Sequence, residues 1–174
     1  MNLKIIFDYD DRFGLPEVEI GVDQTCLHNG TVQNYFEFDI DLNDGPHELY
    51  IVHKNKTMDQ TTADHDKHVF IKSLEFDQVN LDQLHYNPLT HRGRFYPKYE
   101  ESYQADQLKN AIDLPEFISP NHYLGHNGIW RLAFNTPAMV WVIQEQNPSG
   151  IVLENTIAST SDDVLADIKN FFDL

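Results

Sequence analysis

Hydrophobic and polar side chains alternate along much of this chain. Phe36, Phe38, Ile40 and Leu42 are interleaved with Glu37, Asp39 and Asp41. A two-residue period sends successive side chains to opposite faces of a strand, so one face is buried and the other meets water. The same pattern predicts strands over 2–7, 17–22, 31–42, 48–53 and 68–76. Asn29-Gly30 predicts a tight hairpin turn, since both residue types tolerate positive φ, and Asn43-Asp44-Gly45-Pro46 predicts the next turn. In the strand over 68–76, Val69 and Ile71 are in phase, whereas Leu74 and Phe76 are displaced by one position. That displacement predicts a β-bulge near Lys72-Ser73.

The rhythm breaks over 85–120, which carries Pro88, Pro97, Pro115 and Pro120 together with Tyr86, Phe95, Tyr96, Tyr99 and Tyr103. One or two helical turns are expected within it, from Ser102 to Ile112. A connection this long is either an arm that reaches a neighbour or a loop that covers one sheet with its aromatic rings. Strand character returns at His122, with Asn127-Gly128 as a second hairpin signal. Trp130, Leu132 and Phe134 alternate on one predicted strand, and Met139, Trp141 and Ile143 on the next. A short strand over 151–153 and a helix over 161–172, capped by Ser161 and showing Val164, Leu165, Ile168 and Phe172 on one face, close the chain. Antiparallel strands without βαβ alternation predict a mostly β domain over 1–174, an antiparallel β-sandwich of jelly-roll type with a long Pro/Tyr-rich loop at 86–120 and a short C-terminal helix.

Composition narrows the function classes. The formal net charge is −16, from 28 acidic and 12 basic residues. That charge repels a phosphate backbone, so nucleic acid is not expected as a partner. No apolar run approaches the roughly 18 residues of a membrane span, and Met1–Asp8 reads as a first strand rather than a signal peptide. A single cysteine, Cys26, excludes an intrachain disulfide.

Candidate chemistry lies in the loops. Asp39–Gly45 has the look of a calcium loop, but glycine falls one position late and Tyr50 stands where a bidentate glutamate belongs. The loop from Met58 to His68 offers Asp59, Asp64 and Asp66 beside His65 and His68. These hard oxygens make it the candidate cation site, with calcium as the candidate ion; the mixture of Asp and His also suits a transition metal. Asp8, Asp10 and Asp11 form a second acidic group. No HExxH, GxSxG, P-loop or GxGxxG occurs, so no enzyme chemistry is expected and no other cofactor is implied. Tyr86, Tyr96, Tyr99, Trp130 and Trp141 are the aromatic candidates for a sugar platform; the alternation around the tryptophans assigns those two to the core.

Two segments carry resemblances. Gly45-Pro-His47-Glu-Leu49-Tyr-Ile51, a polar loop and then Asp66-Lys-His-Val69-Phe-Ile71 resemble carbohydrate-binding β-sandwich modules, which would imply a glycan ligand and calcium. Here the basic Val52–Lys56 stands where those modules have an Asn/Asp-rich calcium loop. Phe70–Leu81, Phe95-Tyr96-Pro97 and Tyr123–Phe134 with Pro137 and Trp141 resemble virion-associated proteins of marine tailed bacteriophages. That resemblance implies a non-enzymatic component of a phage virion, in the tail, a fibre or the capsid surface. It would act through contacts with other virion proteins and with copies of itself. Tyr86, Phe95, Tyr96, Tyr99, Tyr103 and Phe172 are the expected interface or ligand residues, and a host-surface glycan is the alternative partner.

Overall fold

The structure, a computed structural model, describes residues 1–84, 87–119 and 121–146. The strand expected over 151–153, the helix over 161–172, Tyr86 and Phe172 lie outside them. The described chain is mostly β and forms two antiparallel sheets. One contains β1 (Asn2–Tyr9), β4 (Tyr35–Asp39), β6 (Val69–Phe76), β7 (Val79–Asn80) and β9 (Tyr123–Leu124), in the order β4-β1-β6-β7 with β9 also on β6. The other has the order β3-β2-β5-β10-β8, from β2 (Glu17–Val22), β3 (Thr25–Thr31), β5 (Gly45–Lys54), β8 (Arg94–Pro97) and β10 (Gly128–Thr136). The chain passes repeatedly from one sheet to the other. Leu3, Ile5, Phe7, Leu74 and Phe76 of the first sheet and Val18, Ile20, Leu49, Ile51, Trp130 and Leu132 of the second bury their side chains in a single hydrophobic cluster.

The period-two reading holds for β1, β2, β5 and β6, and the bulge is where the phase shift put it. Ile6 pairs with Ser73 and Phe7 with Ile71, so Lys72 is the extra residue. Its insertion lets Ile71 and Leu74 both face the core while Lys72 stays in water. The hairpin joining β6 to β7 turns on Asp77 and Gln78, both at positive φ, as its twist requires.

Three local expectations are corrected. Asn29-Gly30 is not a turn. Asn29 pairs with Glu19 and Gly30 with Val18 inside the β2–β3 ladder. The reversal falls at Asp23, at φ 53°, whose carboxylate accepts hydrogen bonds from the Glu48 amide at 2.9 Å and from His47 Nδ1 at 2.7 Å. Fixing that acceptor on the neighbouring strand outweighs the intrinsic preference of Asn-Gly. As a result the strand expected over 31–42 is split, with Thr31 ending β3 and Tyr35 beginning β4. Asn127-Gly128 likewise makes no hairpin; it leads from β9 in one sheet to β10 in the other.

The third correction is the segment around Trp141, which is helix α3 (Ala138–Gln146) and not a strand. Ala138, Trp141 and Val142 are its buried residues, a spacing that fits one helical face as well as alternation fits a strand. Trp141 packs near Phe76 and Phe134, so its assignment to the core stands. The long segment is partly ordered into secondary structure: α1 (Pro88–Arg92), β8 on the edge of the second sheet, and α2 (Glu101–Lys109), which overlaps the expected helical turns.

Buried polar groups concentrate at one end of β5. His53 is 1% exposed; its Nδ1 donates to the His126 carbonyl at 3.0 Å, and Nε2 has no partner. Burial, reinforced by the nearby Lys56 and Lys67 charges, pushes the imidazole from its ordinary 6.5 down to about 4. The unfolded chain therefore takes up this proton first. The stability due to a neutral His53 is full above pH 6.5 and is lost as pH falls toward 4. Its full extent is on the order of 3 kcal/mol. His53→Gln keeps a donor for the His126 carbonyl but cannot titrate. In urea titrations between pH 7 and 4, wild-type stability should fall relative to this variant by up to that amount. Parallel curves would contradict the assignment.

A cleft built around Asp66

The connection between β5 and β6 folds back on itself and is pinned from both sides. Asn55, at φ 57°, turns the chain out of β5; its side chain donates to the Leu15 carbonyl and accepts from the Glu17 amide. Next, Lys56 is clasped across the molecule by Asn127. The Lys56 amide donates to Asn127 Oδ1 at 2.9 Å, and Asn127 Nδ2 donates to the Lys56 carbonyl at 2.7 Å. A 3₁₀ turn over Met58–Gln60 follows, and Thr61 bridges to Asp66. Lys67 is also buried; its ammonium donates to the Asn55 carbonyl at 3.2 Å, and burial lowers its pKa.

These constraints bring three donors to the Asp66 carboxylate. The buried Lys56 ammonium donates to Asp66 Oδ1 and to the Gly125 carbonyl. Thr61 Oγ1 also donates to Oδ1, at 2.5 Å, and the Tyr123 hydroxyl donates to Oδ2 at 2.5 Å. Burial alone would raise the Asp66 pKa, but the hydrogen bonds from Lys56, Thr61 and Tyr123 outweigh it and hold the carboxyl below its ordinary value. The converse applies to Tyr123, whose phenol is pushed well up by burial and by the neighbouring carboxylate. Asp66 is thus ionised and Tyr123 neutral across the physiological range.

Around this cluster lies a cleft of about 530 Å³, within the roughly 300–1,000 Å³ of small-molecule sites. Phe95, Ile118 and Met58 supply its apolar lining. Lys56, Thr61, Asp66, Asn121 and Tyr123 supply polar groups, and Tyr103 and His126 form an aromatic wall. That wall belongs to a three-ring cluster, in which the tyrosines stack and His126 meets them edge-on or tilted. The His126 imidazole lies 5.1 Å from the Tyr99 ring and 5.2 Å from the Tyr103 ring, and the two tyrosines stack at 5.8 Å. Burial pushes His126 toward the neutral form.

On the other side of Asp66 and Tyr123 is a smaller hollow of about 310 Å³. It is lined by Asp10, Arg12, Asp64, His65 and His68 together with the shared pair. Arg12 is held by Asp10 through its Nε (2.9 Å to Oδ1) and Nη2 (2.6 Å to Oδ2), and its Nη1 lies 2.9 Å from His65 Nε2. The hydrogen bonds and charge of Arg12 hold the Asp10 carboxyl far below the usual carboxylate range.

Of the residues expected from the sequence, Asp66, Phe95 and Tyr103 meet in the larger cleft, and Tyr99 supports it through His126. Phe95 enters from an unexpected direction: alternation along β8 buries it in the core, 1% exposed, so it forms the floor rather than a projecting contact. Tyr96 faces the opposite side of β8, against Phe117 and the Arg131 guanidinium. Asp59 and Asp64 are exposed and do not join Asp66 on one point. Among the described residues no three His, Cys, Asp or Glu side chains converge as a metal site would need. The Asp66 oxygens are occupied by Lys56, Thr61 and Tyr123, so this trio does not fit a calcium ion as placed. Sequence reasoning missed Lys56, Asn121, Tyr123 and His126. The one available signal was Asn127-Gly128, which marks the segment that clasps Lys56.

Removing Asp66 leaves a buried ammonium with only a carbonyl partner. Asp66→Ala should therefore cost about 2–4 kcal/mol in chemical denaturation, and adding Lys56→Met should recover most of it, because the charge is then gone. A loss below about 0.5 kcal/mol for the single variant would contradict the clamp. No family model matches this chain, and no curated protein or solved structure is significantly similar to it.

Proposed function

We propose that this chain is a non-enzymatic binding protein, a jelly-roll type β-sandwich whose cleft recognises carbohydrate on behalf of a tailed-phage virion. The observation that carries the reading is the make-up of the cleft: an aromatic wall of Tyr103 and His126 faces a set of hydrogen-bonding groups whose charges are already paired. Sugar rings offer apolar C–H faces for aromatic rings and hydroxyls for polar groups, so one wall can serve each part of the ligand.

A binding role fits the electrostatics better than hydrolysis does. Glycoside hydrolysis needs two carboxyl groups across the bond, one of them with a raised pKa. Asp66 is the one carboxylate among the described residues lining the larger cleft, and its pKa is lowered. The virion setting rests on the resemblance of Phe70–Leu81 and Tyr123–Phe134, which fall on β6–β7 and β9–β10; Tyr123, Gly125 and His126 of the second segment line the cleft. A host-surface glycan is the ligand that such a particle would meet.

On a glycan array, the protein should give a selective signal that chelator leaves unchanged, since the cleft's own side chains make the contacts. Tyr103→Ala should lower the signal about tenfold, in keeping with loss of an aromatic contact. No glycan signal, or one that Tyr103→Ala does not alter, would remove this reading.

A second reading, a structural role through protein contacts, is favoured by a different observation. Leu108, Ile112 and Phe117 are 77%, 51% and 41% exposed, an apolar series running from the last turn of α2 into the segment after it. Exposed apolar groups in series mark contact surfaces. If the chain assembles with its own copies or other virion proteins through them, light scattering should show a defined oligomer that Leu108→Glu with Ile112→Glu dissociates. A monomer before and after substitution would remove self-assembly through this surface.

A further inference from the structure

The two hollows share a wall, and that wall is the Asp66–Tyr123 hydrogen bond. We infer that together they form a two-subsite groove for a neutral oligosaccharide of at least two sugar units, with the linkage lying over the Asp66–Tyr123 pair; this inference rests on the carbohydrate reading of the larger cleft.

Three features lead to it. First, each hollow falls within the usual range of small-molecule sites, at about 530 and 310 Å³, so each can seat its own unit. Second, the dividing wall is low. Tyr123 is 40% exposed, and its ring is kept in place by His68, at 5.0 Å between centroids. Gly125 belongs to the same arrangement: a Cβ there would run into the Tyr123 ring, so the absence of a side chain lets the ring lie across the backbone. A fixed, partly exposed phenol between two hollows suits a bridging contact to a linked ligand.

Third, the lysine and the arginine that line the two hollows each have a carboxylate partner. Lys56 is paired with Asp66 in the larger hollow and Arg12 with Asp10 in the smaller. The remaining carboxylate of the smaller hollow, Asp64, is exposed and would repel an acidic sugar. Among the described residues that line the two hollows, no lysine or arginine is left unpaired to select a carboxylate or sulfate. Hydroxyl groups, by contrast, can accept from Arg12 and donate to Asp64 without displacing either ion pair.

Calorimetric titration with glucose, galactose and mannose, and with their di-, tri- and tetrasaccharides, tests the proposal. A disaccharide or longer chain should bind about tenfold or more tightly than its monosaccharide, and the corresponding uronic acids should bind more weakly. Ala63→Trp places a bulky ring in the smaller hollow from an exposed loop position. It should bring oligosaccharide affinity down to the monosaccharide level and leave monosaccharide affinity unchanged. Asp64→Tyr should likewise lower oligosaccharide affinity from the neighbouring position, and unchanged melting temperatures verify that both variants fold. Monosaccharide binding with no gain on chain extension, or a gain that both substitutions leave intact, would overturn the two-subsite groove while sparing the carbohydrate reading. Tighter binding of uronic acids would overturn the neutral-ligand assignment. Failure of every sugar to bind would overturn both.

Discussion

The candidate site depends on one buried cation finding its partners. Lys56 sits just beyond the end of β5, with its ammonium removed from water. An unpaired ammonium there would cost several kcal/mol, so the chain must deliver an anion and a carbonyl to it. Asp66 supplies the first and Gly125 the second. Meeting that demand joins three remote pieces: the turn after β5, the approach to β6, and the link between β9 and β10. Because β5 and β10 belong to one sheet and β6 and β9 to the other, the clamp ties the two sheets together at one end. The cleft is the space that this closure leaves between the clamp, the floor at Phe95 and the aromatic wall.

The same pairing accounts for the cleft's chemistry. The whole chain is strongly acidic, with a formal charge of −16, yet the lining of the larger cleft carries one acid and one base that cancel. What remains presented is neutral: a phenol, a hydroxyl, a side-chain amide and ring faces. Such a surface selects a ligand through shape and hydrogen bonding rather than charge, which a polyhydroxylated molecule satisfies. The protons are fixed as well. Asp66 is held ionised and Tyr123 protonated, so the site is a set of settled donors and acceptors rather than a pair poised to exchange a proton.

The parts of the fold that were legible were those governed by local periodicity. Alternation identified β1, β2, β5 and β6, and a one-residue phase slip located the bulge at Lys72 because both Ile71 and Leu74 had to reach the core. Local signals failed where a distant partner overrode them. Asn29-Gly30 is paired along β2 because Asp23 is anchored by His47 and Glu48. The Met139–Ile143 segment satisfies both a strand and a helix pattern, and the core it meets at Phe76 and Phe134 selects the helix. The candidate site was hardly legible. Asp66 could be picked out as an acidic loop residue, but its partners Lys56 and Tyr123 lie 10 and 57 positions away. Only the pairing of β9 with β6 brings Tyr123 to it. An acidic loop with two histidines looks like a cation site in sequence; the sequence does not show that the fold brings Lys56 from outside the loop to one of its carboxylates, Asp66.

If the cleft shaped by the Asp66 clamp receives sugar, the sugar should perturb the residues that line it. The most direct measurement is the backbone and side-chain NMR spectrum of the intact protein, recorded before and after addition of a mixture of neutral mono- and disaccharides of glucose, galactose and mannose. Sugar binding in this cleft should give saturable shifts concentrated on Thr61, Asp66, Tyr103, Asn121, Tyr123 and His126, with the β1–β4 side of the molecule unchanged. Shifts that avoid these residues, or none at millimolar sugar, would contradict it.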